Sequence, residues 1–248
     1  MDKNPRLRFL SLAALALLAG CVWNQPRNPL ARWIASPNHN AREPILTVLH
    51  ATEQESLQQS LRTLRTGHRG GKVSAHYLIG RNGEIYQLVS DDRRAWHAGS
   101  GRWGTITDVN SASIGVELDN NGRADFPEAQ LQSLVRLLTD LCERYDIPRR
   151  QIIAHADMAP TRKHDPGARF PWARLAQVGF GRWPQGPLAT PPESFDGWAA
   201  LALLGYPMDD PQAALRAFRL HFRGLDSNAP ALEEQDRQLL FALISESH

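Results

Sequence analysis

The sequence predicts an α/β fold: a mixed central β-sheet flanked by helices, followed by a small three-helix C-terminal module. Three observations carry that prediction. Short apolar runs with β-branched members recur between residues 45 and 155, as strands covered on both faces require. Leucines at helical spacing fill stretches between these runs, giving the strand and helix alternation of a layered sheet. Glycines and prolines clustered over 179–193 then break the chain before a final stretch patterned as helix throughout. A chain of 248 residues suffices for one substantial domain and a small one, and 42% apolar with 22% charged residues excludes a disordered or fibrous protein.

The N-terminus differs in kind. Lys3, Arg6 and Arg8 precede the apolar run 9–18, which has the length and flanks of a signal-peptide core and is too short to span a bilayer. Leu18-Ala19-Gly20-Cys21 resembles a bacterial lipobox, which implies removal of residues 1–20 and lipid attachment at Cys21. Several acyl chains on one residue anchor firmly to a membrane. Val22, where an aspartate would favour inner-membrane retention, implies the outer membrane with the body facing the periplasm. Residues 1–20 hold three of the 28 basic and one of the 26 acidic side chains, which leaves 25 of each and no basic excess for a nucleic-acid partner. Cys142 is then the one cysteine without an assigned role, so stability must come from a core rather than from disulfides.

Residues 21–40, with Pro26, Pro29 and Pro37 among polar neighbours, read as a lipidated tether that settles onto the body. The body, 41–178, opens with a strand over 45–50 and a helix over 56–65 that aligns Leu57, Leu61 and Leu64. Strands follow over 73–79 and 84–89, joined by the hairpin signal Asn82-Gly83. Residues 91–110 form a loop long enough to be functional. The strand over 113–118 places Ile114, Val116 and Leu118 on one face and Glu117 on the other. The clearest helix runs over 127–145, striped by Leu131, Leu134, Val135, Leu138, Leu141 and Cys142 and closed by Pro148. An apolar run ending in His155 and a short helix from Pro171 complete the body. Beyond the linker 179–193, the module 194–248 carries helices over 194–205, 210–222 and 232–246, too small a unit for an independent core.

Chemistry-bearing residues collect at three strand ends: His50, Glu117 and His155. Sites in α/β sheets lie beyond strand termini, so the three point to one cleft. In Lys163-His164-Asp165, extended backbone turns Lys163 and Asp165 towards one point and His164 away. His50, His155 and Asp165 are then candidate ligands of a tetrahedral metal whose fourth position stays open. Glu117 is a candidate general base, and Lys163 a cation for a developing oxyanion. By spacing alone, His39, His68, His76, His97, His164 and Asp157 compete for the ligand positions. A Glu117–Arg123 ion pair and a plain turn at Asp165-Pro166-Gly167 would account for those residues equally.

Six motifs in order add a resemblance. They are Thr47-Val-Leu-His50, Val73-Ser-Ala-His76-Tyr-Leu-Ile79, Ala95-Trp96-His97-Ala-Gly99, Ser113-Ile-Gly-Val-Glu117-Leu118, His155-Ala-Asp157-Met-Ala-Pro160 and Arg162-Lys163-His-Asp165-Pro-Gly167. Together they resemble the zinc-dependent N-acetylmuramoyl-L-alanine amidases of the amidase-2 type, in their AmpD/AmiD branch, a fold shared with peptidoglycan recognition proteins. The resemblance implies one zinc per chain on His50, His155 and Asp165, water activation by Glu117 and oxyanion stabilisation by Lys163. It further implies substrate binding by Trp96 and His97, with peptidoglycan or its muropeptides as partner. Ala75 stands where some phage relatives carry a tyrosine, which leaves the base role to Glu117. Gly205-Tyr206-Pro207 and residues 214–222 resemble a peptidoglycan-binding-like module of lipoprotein members. The alternative is a non-catalytic peptidoglycan-binding protein on the same fold; silent relatives are expected to lack a zinc ligand, and this chain lacks none.

Overall fold

The computed structural model describes residues 28–41, 44–67 and 71–245; the signal peptide, Cys21 and His68 lie outside them. Two short strands, Arg32–Trp33 (β1) and His39–Ala41 (β2), occupy part of the expected tether. Asn28 ties that stretch to the body: its backbone N–H donates to Gln87 Oε1 at 2.9 Å and its amide to Asp140 at 2.6 Å. Strands of two and three residues carry too little alternation to be read among prolines, so the sequence showed only the tether.

Leu46–Ala51 (β3) is buried along its whole length and leads into Leu57–Thr66 (α1), where Ser56 caps the helix by accepting from Gln59 N–H. Tyr77–Ile79 (β4) and Ile85–Gln87 (β5) flank the hairpin turn, in which Gly83 holds φ +83°. β4 starts later than its apolar run because Ser74 directs its backbone N–H at Trp96 O rather than into the sheet. The long loop contains Arg93–Ala95 (β6), paired with β2, and ends in Val109–Ala112 (α2). Ser113–Leu118 (β7), Glu128–Tyr145 (α3) and Ile152–Ala154 (β8) follow as expected, α3 ending at Asp146 in the left-handed region. The remaining helices are His155–Met158 (α4), Trp172–Gln177 (α5), Gly197–Leu204 (α6), Pro211–Arg223 (α7) and Glu234–Ser245 (α8).

The main sheet runs β1-β5-β4-β7-β3-β8, parallel throughout except for the β4–β5 hairpin. The predicted mixed α/β fold is therefore borne out. Alternation along β4 shows how the faces divide: Leu78 packs with Leu57, Leu61 and Leu64 of α1, while Tyr77 and Ile79 join the core that contains the α3 leucines. Leu201, Phe218 and Leu240 from the C-terminal helices belong to the same apolar cluster as Val48 and Ile114 of the sheet. Arg219 on α7 is fully buried against Asp236 on α8, its Nη2 at 2.6 Å from the carboxylate, which joins those helices to each other. Among the described residues no helix is long and apolar enough to cross a membrane.

Candidate metal centre

Sheet register builds the site. His50 on β3 pairs with Glu117 on β7, and Leu49 pairs with Ala154 at the end of β8, so His155 takes the next position in the same row. Paired residues on parallel strands share a face, and strands lie about 4.8 Å apart, so three chemical groups stand side by side at the carboxyl ends of three strands. At His155 the chain turns into α4, four residues too short to announce themselves in the sequence. Ala156 N–H donates to Asp165 O at 3.0 Å, which brings the 163–165 stretch back beside the row.

Three potential ligand atoms then meet. His50 Nδ1 lies 2.9 Å from His155 Nδ1 and 3.3 Å from Asp165 Oδ2, and His155 Nδ1 lies 3.1 Å from that oxygen. All three side chains are buried. The outer nitrogens decide which atoms face inward. His155 Nε2 is 2.9 Å from the carbonyl of Ala98, which only accepts, so Nε2 carries the hydrogen and Nδ1 presents a lone pair. The Ser113 hydroxyl donates to Val109 O, so its oxygen accepts from His97 Nε2 at 3.2 Å. His97 Nδ1 must therefore accept from His50 Nε2 at 3.0 Å, leaving His50 Nδ1 as a second lone pair. Burial, and then the neighbouring His155, lowers the His50 ring to about 4, which keeps it neutral.

Two lone pairs and a carboxylate therefore converge with no hydrogen between them. A dication resolves that arrangement. Zinc bonded to such atoms at about 2.0–2.1 Å with tetrahedral angles needs donor separations of about 3.3 Å, close to the triangle observed. The residues fit the metal.

Glu117 and Lys163 line the same cleft of about 320 Å³, with Trp96 at its wall. Glu117 Oε2 is sealed from solvent without a hydrogen-bond partner among the described residues, and burial, followed by the Asp165 charge, pushes its carboxyl up to about 8 while Lys163 opposes. Arg123 pairs with Glu55 at 2.5 Å instead. His164 points elsewhere, exposed beside Arg216. His76 is a satisfied core histidine: Nδ1 accepts from Gly115 N–H at 2.9 Å, and Nε2 donates to Arg93 O at 2.8 Å. Asp157 is buried outside the triangle, and His39 lies on β2. His97 lines the cleft beside Trp96, and its two ring nitrogens are bonded to His50 and Ser113.

Some residues that shape the site were missed in the sequence. Asn110 Oδ1 accepts from His97 N–H and Ala98 N–H, both at 2.9 Å, so one buried amide fixes the segment that orients both histidines. Gly115 leaves room for the His97 ring, since a Cβ there would lie 2.3 Å from His97 Cγ. A glycine inside an apolar strand was the available signal, because it marks a close approach by another group.

Residues 40–168 match Amidase_2, the N-acetylmuramoyl-L-alanine amidase family. The N-acetylmuramoyl-L-alanine amidase AmiD of Escherichia coli strain K12 is 34% identical over 251 residues, spanning 87% of this chain and 89% of that protein. This chain belongs to the N-acetylmuramoyl-L-alanine amidase family. The amidase is an amide hydrolase of peptidoglycan fragments, and its His50, His155 and Asp165 form the metal-site triad. Its fold resembles E. coli AmiD bound to the substrate anhydro-N-acetylmuramic acid-L-Ala-D-γ-Glu-L-Lys, at TM-score 0.70 and 34% identity, over 83% of this chain and 91% of that one. It also resembles Pseudomonas aeruginosa AmpDh3 in complex with anhydromuramic pentapeptide, at TM-score 0.73 and 28% identity, over 91% of this chain and 97% of that one.

Proposed function

We propose that the amidase holds one zinc on His50 Nδ1, His155 Nδ1 and Asp165 Oδ2 and cleaves the amide joining the lactyl group of N-acetylmuramic acid to L-alanine. The observation that carries this reading is the convergence of two imidazole lone pairs on a buried carboxylate. Zinc bound there would supply polarisation of the substrate carbonyl and of a water. Glu117 Oε2 takes a proton from the attacking water as its oxygen bonds to the carbonyl carbon. Lys163 faces the negative charge that develops on the carbonyl oxygen. The carbon–nitrogen bond then breaks, and Glu117 returns the proton to the departing amine, giving a muramyl carboxylate and a free peptide.

Anhydro-ended muropeptides are the proposed substrate class, supported by the ligands of the two related complexes. Trp96 flanks the cleft and contacts the substrate, while His97 acts through His50. The lipobox supports lipidation at Cys21, with the amidase tethered to the outer membrane and facing the periplasm. The test measures metal content and turnover of an anhydromuramyl peptide on one preparation, before and after chelation, with products identified by mass. One zinc per chain, with free peptide released only while zinc is bound, is the expected result. Turnover that survives complete zinc removal would overturn it.

A further inference from the structure

Asp157 lies two residues after His155, fully buried and outside the ligand triangle. Its carboxylate receives three hydrogen bonds. Ala154 N–H donates to Oδ2 at 2.8 Å, which fixes the point where β8 stops and α4 starts and therefore where the His155 side chain leaves the backbone. The other two donors come from the C-terminal module: Tyr206 OH to Oδ1 at 2.8 Å and His221 Nδ1 to Oδ2 at 2.7 Å. His221 stacks on Trp172 with ring centroids 3.7 Å apart, and its buried Nε2 has no hydrogen-bond partner among the described residues. Its polar commitment is therefore to Asp157.

A second contact joins the module to the loop that orients both histidines. Tyr206 meets Trp103 edge to face at 5.2 Å, and Gly104 N–H donates to Gly205 O at 2.8 Å. A buried carboxylate that loses donors is costly, and it shifts to find others. Asp157 has only a four-residue helix to shift with, and the first residue of that helix is His155.

We propose that the C-terminal helices set the metal site, with Tyr206 and His221 acting through Asp157 as positioning residues for His155. The proposal rests on the reading of His155 as a zinc ligand. It gives the module a role at the catalytic centre whether or not the module also touches the cell wall. Partners beyond the ligand shell tune metal affinity by about 10–100-fold in other metal sites, and an effect of that size is expected here.

The experiment measures the zinc dissociation constant of the full chain by competition with a chromophoric chelator, alongside thermal unfolding. The variants are Tyr206→Phe, His221→Phe, His221→Gln, Tyr206→Phe combined with His221→Phe, and Leu240→Ala as a control. Tyr206→Phe removes one hydroxyl and keeps the ring, so it remains informative should the double variant fail to fold. Leu240 is fully buried on α8 and absent from the Asp157 contacts, so its truncation loosens the module without touching the carboxylate.

Zinc binding should weaken about 10-fold in Tyr206→Phe and up to about 100-fold in the double variant. Leu240→Ala should bind zinc as wild type does, despite unfolding at a lower temperature. His221→Gln, which retains an N–H donor, should recover part of the loss caused by His221→Phe. Wild-type affinity in the double variant, or an equal loss in Leu240→Ala, would overturn the proposal. Wild-type protein that binds no zinc at all would instead overturn the ligand assignment beneath it.

Discussion

Asp91 and Asp165 are both buried aspartates, and their neighbours differ in one respect. Among the described residues, four groups around Asp91 each bring a hydrogen: Tyr77 OH at 2.7 Å, Arg144 Nη2 at 3.0 Å, Tyr145 OH at 3.1 Å and Gln87 Nε2 at 3.2 Å. Around Asp165 the two imidazoles present lone pairs, because their hydrogens are directed at Ala98 O and His97. One cluster is complete and ties α3 to β5. The other is complete only with a cation. Burial and charge alone do not distinguish structure from function here; the direction of the hydrogens does.

Reversing that difference at Asp165 gives the largest predicted effect. Asp165→Asn should lose zinc and lower turnover by at least about 10⁴-fold, since the metal supplies both carbonyl and water activation, with little loss of metal-free stability. Zinc analysis and steady-state kinetics on that variant check it. Glu117→Gln should retain one zinc per chain while turnover falls by about 10²–10⁴-fold, because the base is removed and the ligands are spared. Metal retained together with lost activity is the signature to look for.

Further from the ligands the effects become smaller. Asn110→Ala releases the 97–98 backbone and should weaken zinc binding by about 10–100-fold, measured by chelator competition. Asp91→Asn should leave zinc affinity unchanged and cost about 2 kcal/mol, or roughly 4–8 °C in Tm by calorimetry. A separate prediction concerns pH. Glu117 titrates near 8 in the metal-free fold, against about 4.3 in an unfolded chain, so the fold binds a proton more tightly. Stability of the metal-free protein should then decline as pH rises from about 4.5 to 8 and level off above that. Glu117→Gln should flatten this limb and raise the metal-free Tm above pH 8; an unchanged slope would count against the buried carboxyl as its source.

The same contrast explains how far the sequence could be read. His50, Glu117 and His155 were legible because each stands at or near the end of an apolar strand, where polarity is out of pattern. Lys163 and Asp165 were legible from their alternation. The strands β1 and β2 are too short to carry a period, and α4 is a single turn. The roles of His97 and Ser113 depend on which neighbour accepts from which, and those neighbours lie 16–47 residues apart in the chain. No periodicity encodes that. Tyr206 and His221 stood out only by resemblance to a separate module, so their approach to Asp157 appears first in the fold.

The register of β3 against β7 and β8 has a thermal consequence. His50 and Glu117 hold their spacing through a backbone ladder rather than through loops, and a slip of one residue would turn His50 to the opposite face. The distance between Glu117 and His50 is therefore a property of the sheet itself. Heating should leave the active-site geometry intact until the central strands separate, so inactivation and global unfolding should fall on one curve.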